Sequence, residues 1–248
     1  LEEFYDFLVM AAMLGDACPA DSEAVDAILA DLLAPEHSAN GATLFDPEGK
    51  EMTYRRLVAG PDSDAWLDAS DAEWHRLLVK MNSARFVPAS SKPKDASATY
   101  LKQVCTSKIK PPATEPTRRV RTTVGGDKVA YGGKTSAYTA ALKTIKLLWN
   151  AVVSTPGAKF MSIDIRDFYL HSRLEKSEYA WVPLAQIPPA TQLEHNVAEL
   201  AVNGKVLLEI MGGVYGLPQA GRLAQEALVE RLAEHGYHMT STSCLFKH

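Results

Sequence analysis

An α+β fold is predicted by three features of this chain. Residues 160–170 open as a short apolar run with alternating faces, the pattern of a mostly buried strand. Residues 117–124 alternate around Arg118, Arg119 and Arg121 and run into Gly125-Gly126-Asp127, which predicts an exposed strand and a turn. Around them lie capped segments with apolar residues at helical spacing, among them 21–33 and 62–78.

Taken in order, residues 1–60 form an acidic, Ala-rich, helix-prone extension or linker. Asp21-Ser22-Glu23 caps a helix with Val25, Ile28, Leu29, Leu32 and Leu33 on one face, ended by Pro35. Residues 1–14 are expected to form another helix. A second capped helix is predicted over 62–78, where Trp66, Leu67, Trp74, Leu77 and Leu78 supply apolar contacts. Tryptophans at this spacing fit a core better than a ligand platform. The Pro-, Ser- and Lys-rich stretch 86–110 predicts irregular structure with one short strand around Tyr100 to Val104.

Beyond the basic strand, residues 134–150 predict a helix starting at Ser136 or Thr139, with Leu142, Ile145, Leu148 and Trp149 along one face. Thr155-Pro156-Gly157 breaks it. In the next strand, period-two geometry puts Met161, Ile163 and Ile165 on one face and Ser162, Asp164 and Arg166 on the other. Downstream come Trp181 to Leu184, a Pro-containing loop and a helix expected around 191–200. Val202-Asn203-Gly204-Lys205 predicts a hairpin turn leading into a strand, Val206 to Ile210. The glycine-rich run Met211 to Gly221 precedes a helix over 222–234, which His235-Gly236-Tyr237 ends with a Gly stop. Residues 243–247 predict a last strand.

At 248 residues the chain is long enough for a sizeable core, and its composition is that of an ordinary globular protein. It has no apolar run long enough to span a bilayer. Cys18, Cys105 and Cys244, odd in number and widely separated, fit reduced intracellular thiols rather than a disulfide framework. His235 and His238, with Cys244 downstream, lack the number and spacing of a zinc site, and the histidines are expected at the surface. The start Leu1-Glu2-Glu3 is neither Met nor a signal peptide, so an intracellular piece of something longer is expected. The net charge of −4 hides an asymmetry: about 17 acids face 4 bases in residues 1–78, whereas residues 79–150 hold about 14 bases and 3 acids. That basic middle is either suited to a polyanion, whose counterions it would displace, or a solvated face.

Asp164 sits at the end of an apolar strand, where a carboxylate is costly unless it is paired, hydrogen-bonded or metal-bound. Together with residues 165–179, it resembles motif A of reverse transcriptases, most closely those of copia-type retrotransposons. In that family a strand ends in a metal-binding Asp, an aromatic lies five positions on, and the run L-x-G-x-L-x-x-x-x-Y comes next. Here the aromatic is Tyr169; Leu170, Leu174 and Tyr179 match, and Ser172 replaces the Gly. Tyr215-Gly216-Leu217-Pro218-Gln219-Ala220 resembles motif B, A-L-Y-G-L-K-Q-A, with Pro218 for Lys as in the L-P-Q-G form of retroviral enzymes; Gly221 departs from the pattern. The basic strand is similar to the fingers hairpin R-x-x-x-R-L-V-x-x-G, Arg121 aligning with its second Arg. Trp74-His75-Arg76-Leu77-Leu78 looks similar to the helix that leads into the fingers.

The resemblance implies a right-hand, reverse-transcriptase-like fold: a fingers-like region at 61–150, and at 151–248 a partial palm with an incomplete sheet. It implies two-metal nucleotidyl transfer in a longer parent, with Mg²⁺ or Mn²⁺, an RNA or DNA template with primer, and deoxynucleoside triphosphates. Asp164 would be catalytic and bind metal with the backbone carbonyl of Ile165. Arg119, Arg121, Asp167 (through its turn's backbone), Phe168, Tyr169 and Gln219 would contact the nucleotide. Tyr169 would pack beneath the sugar, and Gln219 would hydrogen-bond near sugar and base. Arg118, Lys128 and Gly216 would lie against nucleic acid. No Asp-Asp dipeptide occurs after Asp164, so inactivity of the fragment alone is expected. The alternatives are a degenerate, non-catalytic nucleic-acid-binding remnant and, more weakly, a metal-dependent nuclease around Asp164, which lacks an accompanying carboxylate set.

Overall fold

A computed structural model of the chain describes residues 8–10, 44–109, 115–158, 161–163 and 165–248. The helix expected over 21–33 and the carboxylate of Asp164 lie outside the described residues. In chain order the elements are β1 (Leu8–Met10), α1 (Tyr54–Leu57), α2 (Ser63–His75, continued by a π-helical turn Arg76–Lys80), β2 (Ala84–Val87), β3 (Ala98–Lys108) and β4 (Thr117–Val124). After them come α3 (Leu142–Ser154), β5 (Met161–Ile163), β6 (Arg173–Pro183), α4 (Pro189–Glu194), α5 (Val197–Leu200), β7 (Lys205–Gly212), α6 (Ala220–Glu234), β8 (His238–Met239) and β9 (Phe246–Lys247). The fold is mixed α+β in two compact units. One comprises Ala42–Ala137 with Asp167–Ala227; the other comprises Leu1–Gly41, Tyr138–Arg166 and Leu228–His248.

The first unit is built on a five-stranded mixed sheet of order β2-β7-β6-β3-β4, in which only the β3–β6 pair is parallel. Alternation decides its layers. Leu101, Ala180, Val182, Val206, Leu208 and Ile210 belong to one buried cluster with Trp74 and Leu77 of the α2 segment. On the opposite face Leu207 and Tyr179 meet Val87 in a smaller cluster that Trp181 partly covers. A sheet apolar on both sides at its centre explains why β7 carries the near-continuous run Val206-Leu207-Leu208. Its entry turn is as expected: Asn203 (φ 51°) and Gly204 (φ 74°) adopt the left-handed pair that a tight turn requires.

The second unit holds a four-stranded sheet of order β5-β1-β9-β8, together with α3 and the end of α6. Cys244 and Phe246 are buried in it. Gly236 (φ 83°) closes α6, its N–H bonding Ala233 O and that of Tyr237 bonding Leu232 O, the Schellman arrangement.

Several expectations are corrected. Leu8–Met10 is strand rather than helix, its backbone pairing antiparallel with Met161–Ile163 and parallel with Phe246. The stretch 86–110 contains part of β2 and all of β3, because β4 and β6 supply backbone partners that outweigh its Lys, Ser and Pro content. The helix expected from Ser136 or Thr139 starts only at Leu142; Ala141 before it is extended. The strand expected from Met161 to Arg166 is seen as Met161–Ile163; Ile165 is irregular, and Asp167, left-handed (φ 58°), opens a 3₁₀ turn, Phe168–His171. The helix around 191–200 is split by Asn196, also left-handed. Cys105 and Cys244 are both buried. Among the described residues no helix is long and apolar enough to cross a membrane.

Candidate functional site

The site begins with β4. Its alternation buries Val120, Thr122 and Val124 and puts Arg119 and Arg121 on the other face. The Arg121 guanidinium stands 4.7 Å from the ring centre of Tyr215, a cation–π contact, and its buried Nε has no hydrogen-bond partner. Neither Arg119 nor Arg121 has a carboxylate at ion-pair distance among the described residues. Partial burial, then the charges of Arg121 and Arg76, lowers the Arg119 pKa below the ordinary arginine value. Arg118, on the face of Val120, instead pairs with Asp62 at 2.7 Å. Lys128 lies in the 3₁₀ turn Gly126–Lys128, exposed and 3.9 Å from Asp127.

Tyr215 connects β4 to the turn after the predicted motif A strand. Its ring meets that of Tyr169 edge-on at 5.3 Å, and Tyr169 in turn lies 5.8 Å from Phe168. The Tyr215 carbonyl accepts the Val124 N–H at 2.7 Å. Gly216 (φ 92°) is next; a Cβ there would clash with the Val124 carbonyl oxygen, and one on Gly126 would clash with the Gly216 oxygen. Gly216 therefore locks its loop against the end of β4 with backbone on backbone. Gln219 begins the approach to α6. It is 4 % exposed, donates from Nε2 to Glu178 Oε1 at 3.4 Å, and leaves its own Oε1 without a partner. Burial raises the Glu178 pKa above the usual carboxylate value, although the Gln219 bond and the charge of Lys176 pull it back.

Beneath these groups runs a buried ionic chain. Arg76 binds Glu73 through Nη2 and Asp167 through Nη1, and Glu73 Oε1 accepts the Thr122 N–H at 2.9 Å. Burial lowers the Arg76 pKa, but the Glu73 and Asp167 charges more than compensate and raise it. The side chain of Asp167 is thus engaged by the fold. Sequence reasoning missed Arg76, Glu73 and the linking role of Tyr215. The available signal was a Glu/Arg pair at i,i+3 interleaved with Trp74 and Leu77, where charge has no place unless it is paired.

The structure brings Arg119, Arg121, Phe168 and Tyr169 into one neighbourhood with Tyr215, buries Gln219 against Glu178, and engages Arg118 and Lys128 in ion pairs with Asp62 and Asp127. Asp164 is outside the described residues, and Ile165 is described as irregular backbone. Among the described residues no three His, Cys, Asp or Glu side chains converge on a metal site. The arrangement offers unneutralised guanidinium groups, aromatic rings and an unsatisfied amide oxygen, a combination suited to an anion that carries a planar group. Comparison with protein-family models, curated proteins and solved structures gives no match for the chain.

Proposed function

We propose that the chain is the fingers and the first part of the palm of a copia-type RNA-directed DNA polymerase, with Arg119, Arg121, Tyr169, Tyr215 and Gln219 facing the incoming nucleotide. The observation that carries this reading is the stacking order Arg121–Tyr215–Tyr169, which joins residues from the basic hairpin, motif B and motif A. Motifs matched by spacing alone had no reason to meet. A deoxynucleoside triphosphate carries several negative charges, which two unpaired arginines would take, and the Tyr169 ring would lie against its sugar. In this reading a template strand is the second partner.

The family's Mg²⁺ pair would supply charge for the attacking and leaving oxygens of nucleotidyl transfer. The carboxylates among the described residues do not fit such a centre, Asp167 being held by Arg76, so no step is assigned to metal.

Titration of the chain with a deoxynucleoside triphosphate in the presence of a primer–template tests the assignment. Arg121→Ala is expected to raise the nucleotide Kd by about tenfold or more, the loss of a charge-assisted bond, with the melting temperature little changed. An unchanged Kd would remove Arg121, and with it the proposed nucleotide face.

A further inference from the structure

The parallel pairing of β3 and β6 is short. It covers Ala98–Tyr100 against Tyr179–Trp181, after which β3 continues with β4 alone. Where the two strands part lies an open cleft of about 680 Å³ with Tyr100, Trp181, Gln186, Lys128 and Lys205 on its walls. It shares no residue with the arginine–tyrosine cluster.

Its aromatic wall is held in place. The register sets Tyr100 directly beside Trp181, and paired residues of a ladder share a face. The Tyr100 ring lies so close over Gly125 that a Cβ there would collide with it. The Tyr100 hydroxyl donates to Asp127 Oδ1 at 2.8 Å, yet the residue stays 46 % exposed. An exposed aromatic is usually free to turn, whereas this one is fixed on a glycine and tied at its tip. Trp181 packs its inner edge on Val87, Tyr179 and Leu207 and is half-buried. Lys128 and Lys205 flank the pair, and Lys205 has no ion-pair partner among the described residues. Gln186, at the base, carries a buried side-chain oxygen without a hydrogen-bond partner.

The geometry points to this cleft as a nucleic-acid site, taking one or two bases of a single-stranded polynucleotide on the Tyr100–Trp181 shelf with the adjoining phosphates on Lys128 and Lys205. Stacking platforms beside a cationic rim bind single strands with little sequence preference. The cleft is too open to enclose a small molecule, and a polymer compensates by repeating the base-plus-phosphate unit along the surface. The strongly basic segment 79–150 supplies both Tyr100 and Lys128, so the local charge agrees with the occupant. The site stands independently of the polymerase reading.

The test is equilibrium binding of a fluorescein-labelled 12-nucleotide oligo(dT) to the full chain at several salt concentrations, with tryptophan fluorescence measured in parallel. Lys128→Gln with Lys205→Gln is expected to weaken binding about tenfold and to reduce the salt slope by about 1.4, the share of two single-strand phosphates. Tyr100→Leu is expected to weaken binding roughly fivefold or more. Trp181→Phe keeps a ring on the underlying cluster, so it is expected to fold and bind while losing most of the oligonucleotide-induced quenching. An unchanged affinity and slope in the lysine pair overturns the proposal, as does full quenching in Trp181→Phe. If Arg121→Ala abolishes oligonucleotide binding and the lysine pair does not, the strand lies on the other cluster and this cleft is not its site.

Discussion

Arg76 and Arg121 both lie close enough to Arg119 for their charges to lower its pKa, and the fold treats them differently. Arg76, itself half-buried, is held between two carboxylates, Glu73 and Asp167, and the first of these also holds the Thr122 backbone. Arg121, one residue before Thr122, is half-buried with a tyrosine face for company and an Nε that bonds nothing. A cation–π contact is worth about 0.5–2 kcal/mol, far short of a buried carboxylate partner. The difference separates charge that builds the protein from charge the protein leaves unneutralised. Arg76 ties the helix, the basic strand and the Asp167 turn together, and Arg121 is then held where an anion would complete it.

The comparison breaks most readily at Arg76. Arg76→Met would strand two buried carboxylates, and the expected loss is about 3–5 kcal/mol, a fall in melting temperature on the order of 10 °C. A loss below about 1 kcal/mol in urea denaturation would mean that the ionic chain does not hold these elements, and the contrast with Arg121 would disappear. Gly216→Ala sharpens it from the backbone side. The left-handed backbone and the close approach to Val124 make about 1–3 kcal/mol of destabilisation the expected outcome. Because Tyr215 is the neighbouring residue, the variant should also weaken nucleotide binding, measurable in the titration used for Arg121→Ala.

Legibility in the sequence depends on how local each cause is. The Asn203-Gly204 turn, strand β7 and the Gly236 stop depend on a few adjacent residues, and they appear where expected. Trp66 and Trp74 proved to be core, as amphipathic spacing implied. Strand β1 was illegible because its partners, Met161–Ile163 and Phe246, lie far along the chain and three residues carry no period. Strand β3 was underestimated because neighbouring strands decide pairing more than its lysines do. In the site, motif spacing pointed to Arg121, Tyr169 and Gln219. It could not reveal that Tyr215 links the first two, or that Arg76 claims the Asp167 side chain, since both depend on tertiary approach.

The smallest expected effect concerns Glu178, a carboxylate with no ion-pair partner among the described residues. Glu178 receives only the Nε2–H of Gln219, and burial raises its pKa. An ionised carboxylate can only accept, so it draws the amide nitrogen toward itself and leaves the Gln219 oxygen unsatisfied. A raised pKa in the folded state means that folding favours the protonated acid. Its stabilising contribution is complete below the ordinary carboxylate value of 4.5 and is lost as pH rises through the raised folded value. Glu178→Gln removes that loss and should leave the chain slightly more stable than wild type at pH 7, by less than about 0.5 kcal/mol after solvent screening, and indistinguishable from it near pH 4. Melting curves at the two pH values check the sign. A variant less stable at pH 7 would show that Glu178 is compensated after all, and that the unneutralised charge of this site is confined to its arginines.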